Sequence, residues 1–180
     1  MGPRNSRVSC IATSSYDISY YNIRKEQLPV IKSSSEIFGK IKAAKGGLKF
    51  QDVPIAGVLG DQHAALLGQN CFRSGEAKNT YGTGCFMLYN TGNEIVESKN
   101  GLLTTMGYQL GPDAKPIYAL EGSIAVAGSG MTWLQTNMGI LDDAKHIDQL
   151  AGQVEDTGGV FFVPAFSGLF APFWRTDARG

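Results

Sequence analysis

The 180-residue sequence predicts a mixed α/β protein, and the order of its elements carries that prediction. Residues 53–60 are apolar, partly β-branched and bounded by glycine, which indicates a short buried strand. An Ala/Leu helix pattern begins directly afterwards at Asp61. Two strand patterns follow, over residues 77–81 and 84–89. The chain therefore contains both strands and helices along its length, as proteins of the α/β and α+β classes do.

The remaining elements are predicted from the same periodicities and from turn residues. Serines 33–35 followed by Glu36 indicate a turn into a short helix or strand, and Asn90, Thr91 and Gly92 indicate a second turn. Farther along, the sequence predicts strands over residues 101–110 and 116–122, helices over 123–139 and around 142–151, a buried strand over 158–166, and an aromatic loop over 167–174.

Composition excludes several classes of partner and site. Sixteen basic and sixteen acidic residues give a formal charge of zero, so no electrostatic argument favours nucleic acid or an anionic membrane. No segment has the apolar length of a membrane span. The three cysteines form no CxxC pair, and His63 and His146 have no partners at ligand spacing, so neither disulfides nor a metal site is expected. A reducing, cytoplasmic setting is the expectation.

Asp61 has two interpretations. At the start of a helix it can act as a plain N-cap, which the stretch alone favours. It can also be a carboxylate that the helix dipole stabilises and that accepts a proton from a substrate hydroxyl, with Gln62 orienting the substrate.

Two glycine-containing stretches also have open interpretations. Gly82, Thr83 and Gly84 lie between two predicted strands, where amides and one hydroxyl can approach phosphate oxygens, although a simple hairpin turn is favoured. Glycines 128 and 130, on either side of Ser129, lower helix stability relative to alanine. Their presence indicates close packing of another element or of a flat ligand, and the two are evenly balanced.

Five blocks of sequence together carry a resemblance to a known family. They read GDQHAALLGQ, GEAKNTYGTGCFMLYNTG, NGLLTTMGYQLG, YALEGSIAVAGSGMTWL and GVFFVPAFSGLFAPFWRTDARG. In this order they resemble the glycerol kinases of the FGGY carbohydrate kinase family, nearly continuously from about Asn22 to Gly180. The NTYGTGCF and PAFSGL signatures are highly specific together.

The resemblance implies a fold and a reaction. The fold has two actin-like ATPase (ribonuclease H-like) domains with ATP in the cleft between them. Residues 25–70 correspond to the C-terminal part of the first domain and residues 71–180 to the N-terminal part of the second. Residues 1–24 form a divergent or disordered segment. The implied reaction transfers the γ-phosphoryl group of ATP, with Mg²⁺, to glycerol and gives sn-glycerol 3-phosphate.

The resemblance also implies roles for individual residues. Asp61 corresponds to the general base that also binds glycerol, and Gln62 to its neighbour in the glycerol site. Thr83 and Gly128 correspond to positions that contact ATP. Gly82 and Gly84 are the glycines flanking the phosphate contact, no metal ligand is identified, and full-length relatives are expected to be homo-oligomers.

Two hypotheses about activity remain. The chain can be a segment of a working glycerol kinase, with the roles given above. It can instead be a truncated, inactive glycerol kinase-like protein that acts at most as a ligand- or partner-binding module. The sequence contains no DxGTxxxR-like phosphate loop, and Thr132 stands where the family often has a longer polar residue. We therefore expect the chain alone to be inactive.

Overall fold

A computed structural model describes residues 20–41 and 52–180. Residues 1–19, most of the predicted divergent segment 1–24, lie outside the described residues, as do residues 42–51. The chain folds as two compact units. Within the described residues, unit 1 contains residues 20–41, 52–78, 88–99 and 103–121, and unit 2 contains residues 79–87, 100–102 and 122–180.

The described residues contain the mixture of strands and helices that the sequence predicts. The strands are β1 (Gly39–Lys40), β2 (Pro54–Ile55), β3 (Ala77–Tyr81), β4 (Cys85–Gly92), β5 (Leu103–Tyr108) and β6 (Ile117–Ile124). The α-helices are α1 (Asp61–Gly68), α2 (Gly128–Thr136) and α3 (Ile147–Ala151), and short 3-10 helices cover Lys25–Gln27 and Ala144–His146. In this part of the chain no helix is long and apolar enough to cross a bilayer.

The main sheet has four strands in the order β3-β4-β6-β5. Strands β5 and β6 are antiparallel, with Leu103 opposite Glu121 and Thr105 opposite Ala119. The register shifts between Met106 and Tyr108, so Gly107 is an extra residue of the kind found in a β-bulge. The bulge lets β5 remain paired with β6 to its end. Strands β1 and β2 form a separate antiparallel pair.

The core of unit 1 lies between helix α1 and the sheet. Its buried members are Leu66 from α1, Cys71 from the following loop, and Leu88, Tyr108 and Ala119 from the three strands β4, β5 and β6. Leu66 and Leu88 have no exposed surface. Truncating a buried leucine to alanine typically costs about 2–5 kcal/mol, so these contacts hold α1 in place and determine where its first residues lie.

The predicted turn at Asn90, Thr91 and Gly92 is wrong, because all three residues belong to β4. Asn90 is fully buried, and its side-chain Nδ2 donates to the Cys71 carbonyl at 2.9 Å. Its Oδ1 accepts from the Gly92 amide at 2.7 Å. Asn90 is therefore a buried, hydrogen-bonded structural residue of unit 1, although asparagine is a residue type that is common in turns.

The predicted buried strand over residues 53–60 is too long, and its burial is wrong. Only Pro54 and Ile55 form a strand, both are exposed, and their partner β1 has only two residues. A strand can extend no farther than the pairing groups available to it. The turn predicted before it is confirmed: the Ser33 amide donates to Glu36 Oε2 at 3.1 Å, and β1 follows.

The helix predicted over residues 123–139 begins later than expected. Ser123 and Ile124 end β6, and α2 starts at Gly128. The apolar spacing was correct for Trp133 and Leu134, which lie in α2, whereas Ile124 continues the ladder of a long strand. The second predicted helix, around residues 142–151, begins as the 3-10 turn and continues as α3.

The strand predicted over residues 158–166 is wrong, although the loop predicted after it is confirmed. Phe161 is 90% exposed and Val160 is 71% exposed, and no strand among the described residues pairs with this segment. Its apolar composition indicated burial, but a strand also needs a pairing edge. Two later aromatics do pack: Phe162 stacks on Trp133 with ring centroids 5.7 Å apart, and Phe166 lies 5.1 Å from the same ring.

Candidate functional site

Asp61 is the first residue of α1, and its side chain is exposed. The N-cap is Gly60, whose carbonyl accepts from the Ala64 amide at 2.8 Å, so the interpretation of Asp61 as N-cap is wrong. Asp61 Oδ1 accepts a hydrogen bond from the backbone amide of Gln62 at 2.8 Å. The positive end of the helix dipole also favours a carboxylate here. Asp61 thus presents an exposed anionic acceptor at a position that the core of unit 1 holds in place.

Gln62 is held by a residue that sequence reasoning missed. Lys78, in β3, donates from Nζ to Gln62 Oε1 and is only 4% exposed. The signal for this residue was its place in the predicted strand, where alternate positions share a face and residue 78 falls on the inner one. Hydrophobicity patterns assign lysine to solvent, so the position was not recognised.

Charged groups surround this lysine. Burial lowers the pKa of Lys78, and the negative charges of Asp61 and Glu121 oppose that shift. Burial also lowers the pKa of His63, and this effect outweighs the opposing charge of Glu121. His63 Nε2 lies 3.5 Å from Thr105 Oγ1. His63 is therefore favoured in its neutral form, so it adds no positive charge beside Asp61.

In unit 2, the turn between β3 and β4 contacts the start of α2. The Gly128 amide donates to the Gly82 carbonyl at 2.9 Å. The Thr83 carbonyl accepts from the Ala127 amide at 2.8 Å, from the Ser129 amide at 3.2 Å and from Ser129 Oγ at 2.9 Å. The first amides of this helix are therefore directed at protein carbonyls. The exposed Thr83 side chain remains the polar group of the turn that faces outward.

Two of the predicted glycines are required by close backbone approach. A Cβ at Gly84 would overlap the Ile124 carbonyl oxygen, and one at Gly128 would lie 2.6 Å from the Gly82 oxygen. A Cβ at Gly82 would have ordinary space, since its nearest neighbour is 3.9 Å away. Of the two interpretations of Gly128, close packing of another element is confirmed, and that element is the turn.

A cavity of about 560 Å³ lies beside this turn in unit 2. Its lining includes Gly82, Thr83, Gly128, Ser129, Trp133 and Phe166. The cavity is therefore lined by three residues that were predicted to lie at the ATP site, Gly82, Thr83 and Gly128. Asp61 and Gln62 belong to unit 1. Sequence reasoning missed the two aromatic side chains of the lining. Among residues 20–41 and 52–180, no cluster of three or more His, Cys, Asp or Glu side chains is arranged to hold a metal ion.

The sequence matches known kinases along most of its length. The model of the "FGGY family of carbohydrate kinases, C-terminal domain" matches residues 77–180. A probable glycerol kinase of Dictyostelium discoideum is 62% identical over 160 residues, which cover 86% of this chain and 30% of that protein. A glycerol kinase of Renibacterium salmoninarum is 57% identical over 173 residues, 94% of this chain and 34% of that protein. The chain thus spans about a third of the length of these curated relatives.

Solved structures agree with this match. Plasmodium falciparum glycerol kinase, crystallised with ADP, superimposes with a TM-score of 0.81 at 47% identity, over 92% of this chain and 33% of that one. A ligand-bound xylulose kinase from Lactobacillus acidophilus superimposes with a TM-score of 0.71 at 20% identity, which shows the fold alone. The predicted actin-like ATPase fold class is confirmed. By the family match over more than half of its length, the chain belongs to the FGGY family of carbohydrate kinases.

Proposed function

We propose that the chain is part of a cytoplasmic glycerol kinase, which transfers the γ-phosphoryl group of ATP to glycerol and gives sn-glycerol 3-phosphate. The observation that carries this proposal is the arrangement of Asp61 and Gln62. An exposed carboxylate and a fixed carboxamide adjoin each other at the first turn of α1. The identity of 57–62% to glycerol kinases supports glycerol as the substrate.

In this proposal Asp61 is the general base. Its carboxylate orients a glycerol hydroxyl and accepts its proton as the oxygen attacks phosphorus, a role that contributes about 10²–10⁴-fold in rate. Phosphoryl transfer depends mainly on positioning and on charge stabilisation, so a rigidly placed base suits it. Gln62 supplies a second polar contact to the substrate.

The nucleotide is assigned to the cavity of unit 2. The exposed Thr83 hydroxyl can donate to a phosphate oxygen, and the absence of a side chain at Gly82 leaves room for the phosphates. The Plasmodium glycerol kinase was crystallised with ADP, which supports nucleotide use here. Mg²⁺ commonly binds substrate phosphates, waters and only one or two carboxylates, so it would neutralise charge on ATP without a dedicated protein cage.

A second candidate is that this chain, taken alone, binds ligand without turning it over. The observation favouring it is the absence of a DxGTxxxR-like loop from the 180 residues. The domain assignment, with a boundary between residues 70 and 71, also stays a proposal, as does homo-oligomerisation.

The test uses the 180-residue chain and a grafted enzyme, in which residues 20–180 replace the matching segment of the Dictyostelium relative. We expect glycerol-dependent release of ADP and formation of glycerol 3-phosphate from the grafted enzyme and none from the chain alone. Turnover by the chain alone would exclude the second candidate. A folded grafted enzyme that phosphorylates no glycerol, while the parent does, would contradict the proposed function.

A further inference from the structure

Lys78 is a nearly buried cation in the middle of a strand. Only 4% of its surface is exposed, whereas Ala77 and Asn79 on either side of it are exposed. Lysine is almost never fully buried unless it is paired, because removing an ammonium group from water is costly. The Lys78 ammonium group donates to Gln62 Oε1 across sixteen residues of sequence. The contact joins β3 to the first turn of α1.

The chemistry of this contact determines how Gln62 is oriented. An ammonium group has three donors and no acceptor, so it can contact only the oxygen of a carboxamide. The Gln62 NH₂ group must then lie on the side of the carboxamide away from Lys78. Without the lysine, the carboxamide could turn over and present its oxygen instead. Lys78 therefore selects which of the two groups Gln62 offers to a ligand.

We propose that Lys78 is a positioning residue that makes Gln62 a hydrogen-bond donor toward the substrate. Asp61, next to it, is then an acceptor, so the pair matches two neighbouring hydroxyl groups of a polyol. One hydroxyl donates its proton to the carboxylate, and the oxygen of the other accepts from the carboxamide. This inference rests on the proposed function and deepens it, because it names the group that orients the substrate contact.

The charges around Lys78 are consistent with this role. Burial lowers the pKa of Lys78, and the charges of Asp61 and Glu121, with a smaller contribution from Cys71, favour the ammonium form. A methionine at this place would fill similar volume with no charge to desolvate, so stability alone gives no reason for a lysine. One difference between the two side chains is that only the lysine can donate to Gln62.

The first experiment detects the orientation of Gln62 without any ligand. In the full 180-residue chain labelled with ¹⁵N-glutamine, the Gln62 NH₂ signals are assigned from their loss in Gln62→Glu. Lys78→Met is expected to shift these signals, whereas Lys78→Arg, which retains charge and donors, keeps them nearer their original position. Lys99→Met, at an exposed site, is the matched control and leaves them unchanged. Signals that stay in place in folded Lys78→Met would overturn the proposal.

A reciprocal variant at Gln62 tests the same contact if Lys78→Met does not fold. Gln62→Leu removes the acceptor and leaves the lysine, and Gln62 is only half-buried, so the variant is expected to fold. The ¹³Cε and ¹⁵Nζ signals of Lys78 should then shift relative to the wild type. An unchanged Lys78 signal would show that the two side chains do not interact, and the proposal would fail.

The second experiment measures the consequence for substrate in the grafted enzyme. Lys78→Met should raise the KM for glycerol by about two- to tenfold, as expected for one lost neutral hydrogen bond between Gln62 and the substrate, and change kcat by much less. In a Gln62→Ala background the same change should raise KM less than about twofold, because coupled residues are not additive. Independent, multiplying effects on KM would contradict the proposal.

The two experiments separate the inference from the function on which it rests. If the Gln62 signals respond to Lys78 but the unmutated grafted enzyme phosphorylates no glycerol, the proposed function fails and the orientation by Lys78 stands. If the grafted enzyme is active and the Gln62 signals ignore Lys78, the proposed function stands and the positioning role is overturned.

Discussion

The amide of Gly128 donates to the carbonyl of Gly82 at 2.9 Å, and a methyl group added to Gly128 would lie 2.6 Å from the same oxygen. The start of α2 and the turn after β3 are thus in backbone contact, with no room for a side chain. Because both elements line the cavity of unit 2, their contact determines its shape.

Gly128→Ala should therefore damage both stability and nucleotide use. The added methyl group must displace backbone, which typically costs about 1–3 kcal/mol in a well-packed region. We expect a lower melting temperature and a KM for ATP raised more than the KM for glycerol in the grafted enzyme. Gly130→Ala is the control in the same helix, because its Cβ would meet Val126 at an ordinary 3.4 Å and alanine favours a helix. Equal effects of the two substitutions would contradict this account.

Asp61→Asn should separate catalysis from folding. The asparagine oxygen can still accept from the Gln62 amide, so the melting temperature should change little. The carboxamide cannot accept the substrate proton, and kcat of the grafted enzyme should fall about 10²-fold or more. A kcat within about threefold of the unmutated enzyme would be too small a loss for a general base, and Asp61 would then have no catalytic role.

Thr83→Val should weaken ATP use and spare glycerol. Valine keeps the branched shape of threonine, and the three hydrogen bonds to the Thr83 carbonyl do not involve its hydroxyl. The KM for ATP should rise about tenfold, as expected for a lost hydrogen bond to a charged group, and Thr83→Ser should restore it. Failure of serine to restore the KM would indicate that the hydroxyl is not the contacting group.

The lowered pKa of His63 predicts a pH dependence of stability. Burial holds the folded pKa below the ordinary value of 6.5, so below that pH the unfolded chain binds more protons than the folded one. The free energy of unfolding should therefore decrease as pH falls through 6.5 and level off below the folded pKa. Urea unfolding at several pH values measures this slope, which His63→Gln should reduce. A slope that is the same in His63→Gln and in the unmutated chain would contradict this account.

The sequence predicted best where local pattern and tertiary pairing agree. Strands β3 and β4 and helix α1 were predicted because glycines mark the turn between the two strands and an Ala/Leu pattern marks the helix. Residues 53–60 and 158–166 were predicted as buried strands from composition alone. Composition does not reveal whether a pairing partner is present. Residues 53–60 find only the two residues of β1 to pair with, and no described strand pairs with residues 158–166.

The candidate site was predicted in part for a similar reason. Asp61, Gln62, Thr83 and Gly128 were found because short motifs carry them. Lys78 reaches Gln62 only through the pairing of distant elements, and its residue type suggests solvent rather than burial. The cavity's aromatic rings come together from α2 and a later loop, so neither stretch alone indicates a cavity wall.

The carbonyl of Thr83 accepts three hydrogen bonds from the first residues of α2 and the residue before it. Each such bond contributes about 0.5–1.5 kcal/mol, so the turn and the helix start cannot separate without losing several of them together. Trp133 lies farther along α2 and lines the same cavity as Thr83, so this cluster of hydrogen bonds joins the turn to the helix that carries the aromatic wall of the cavity.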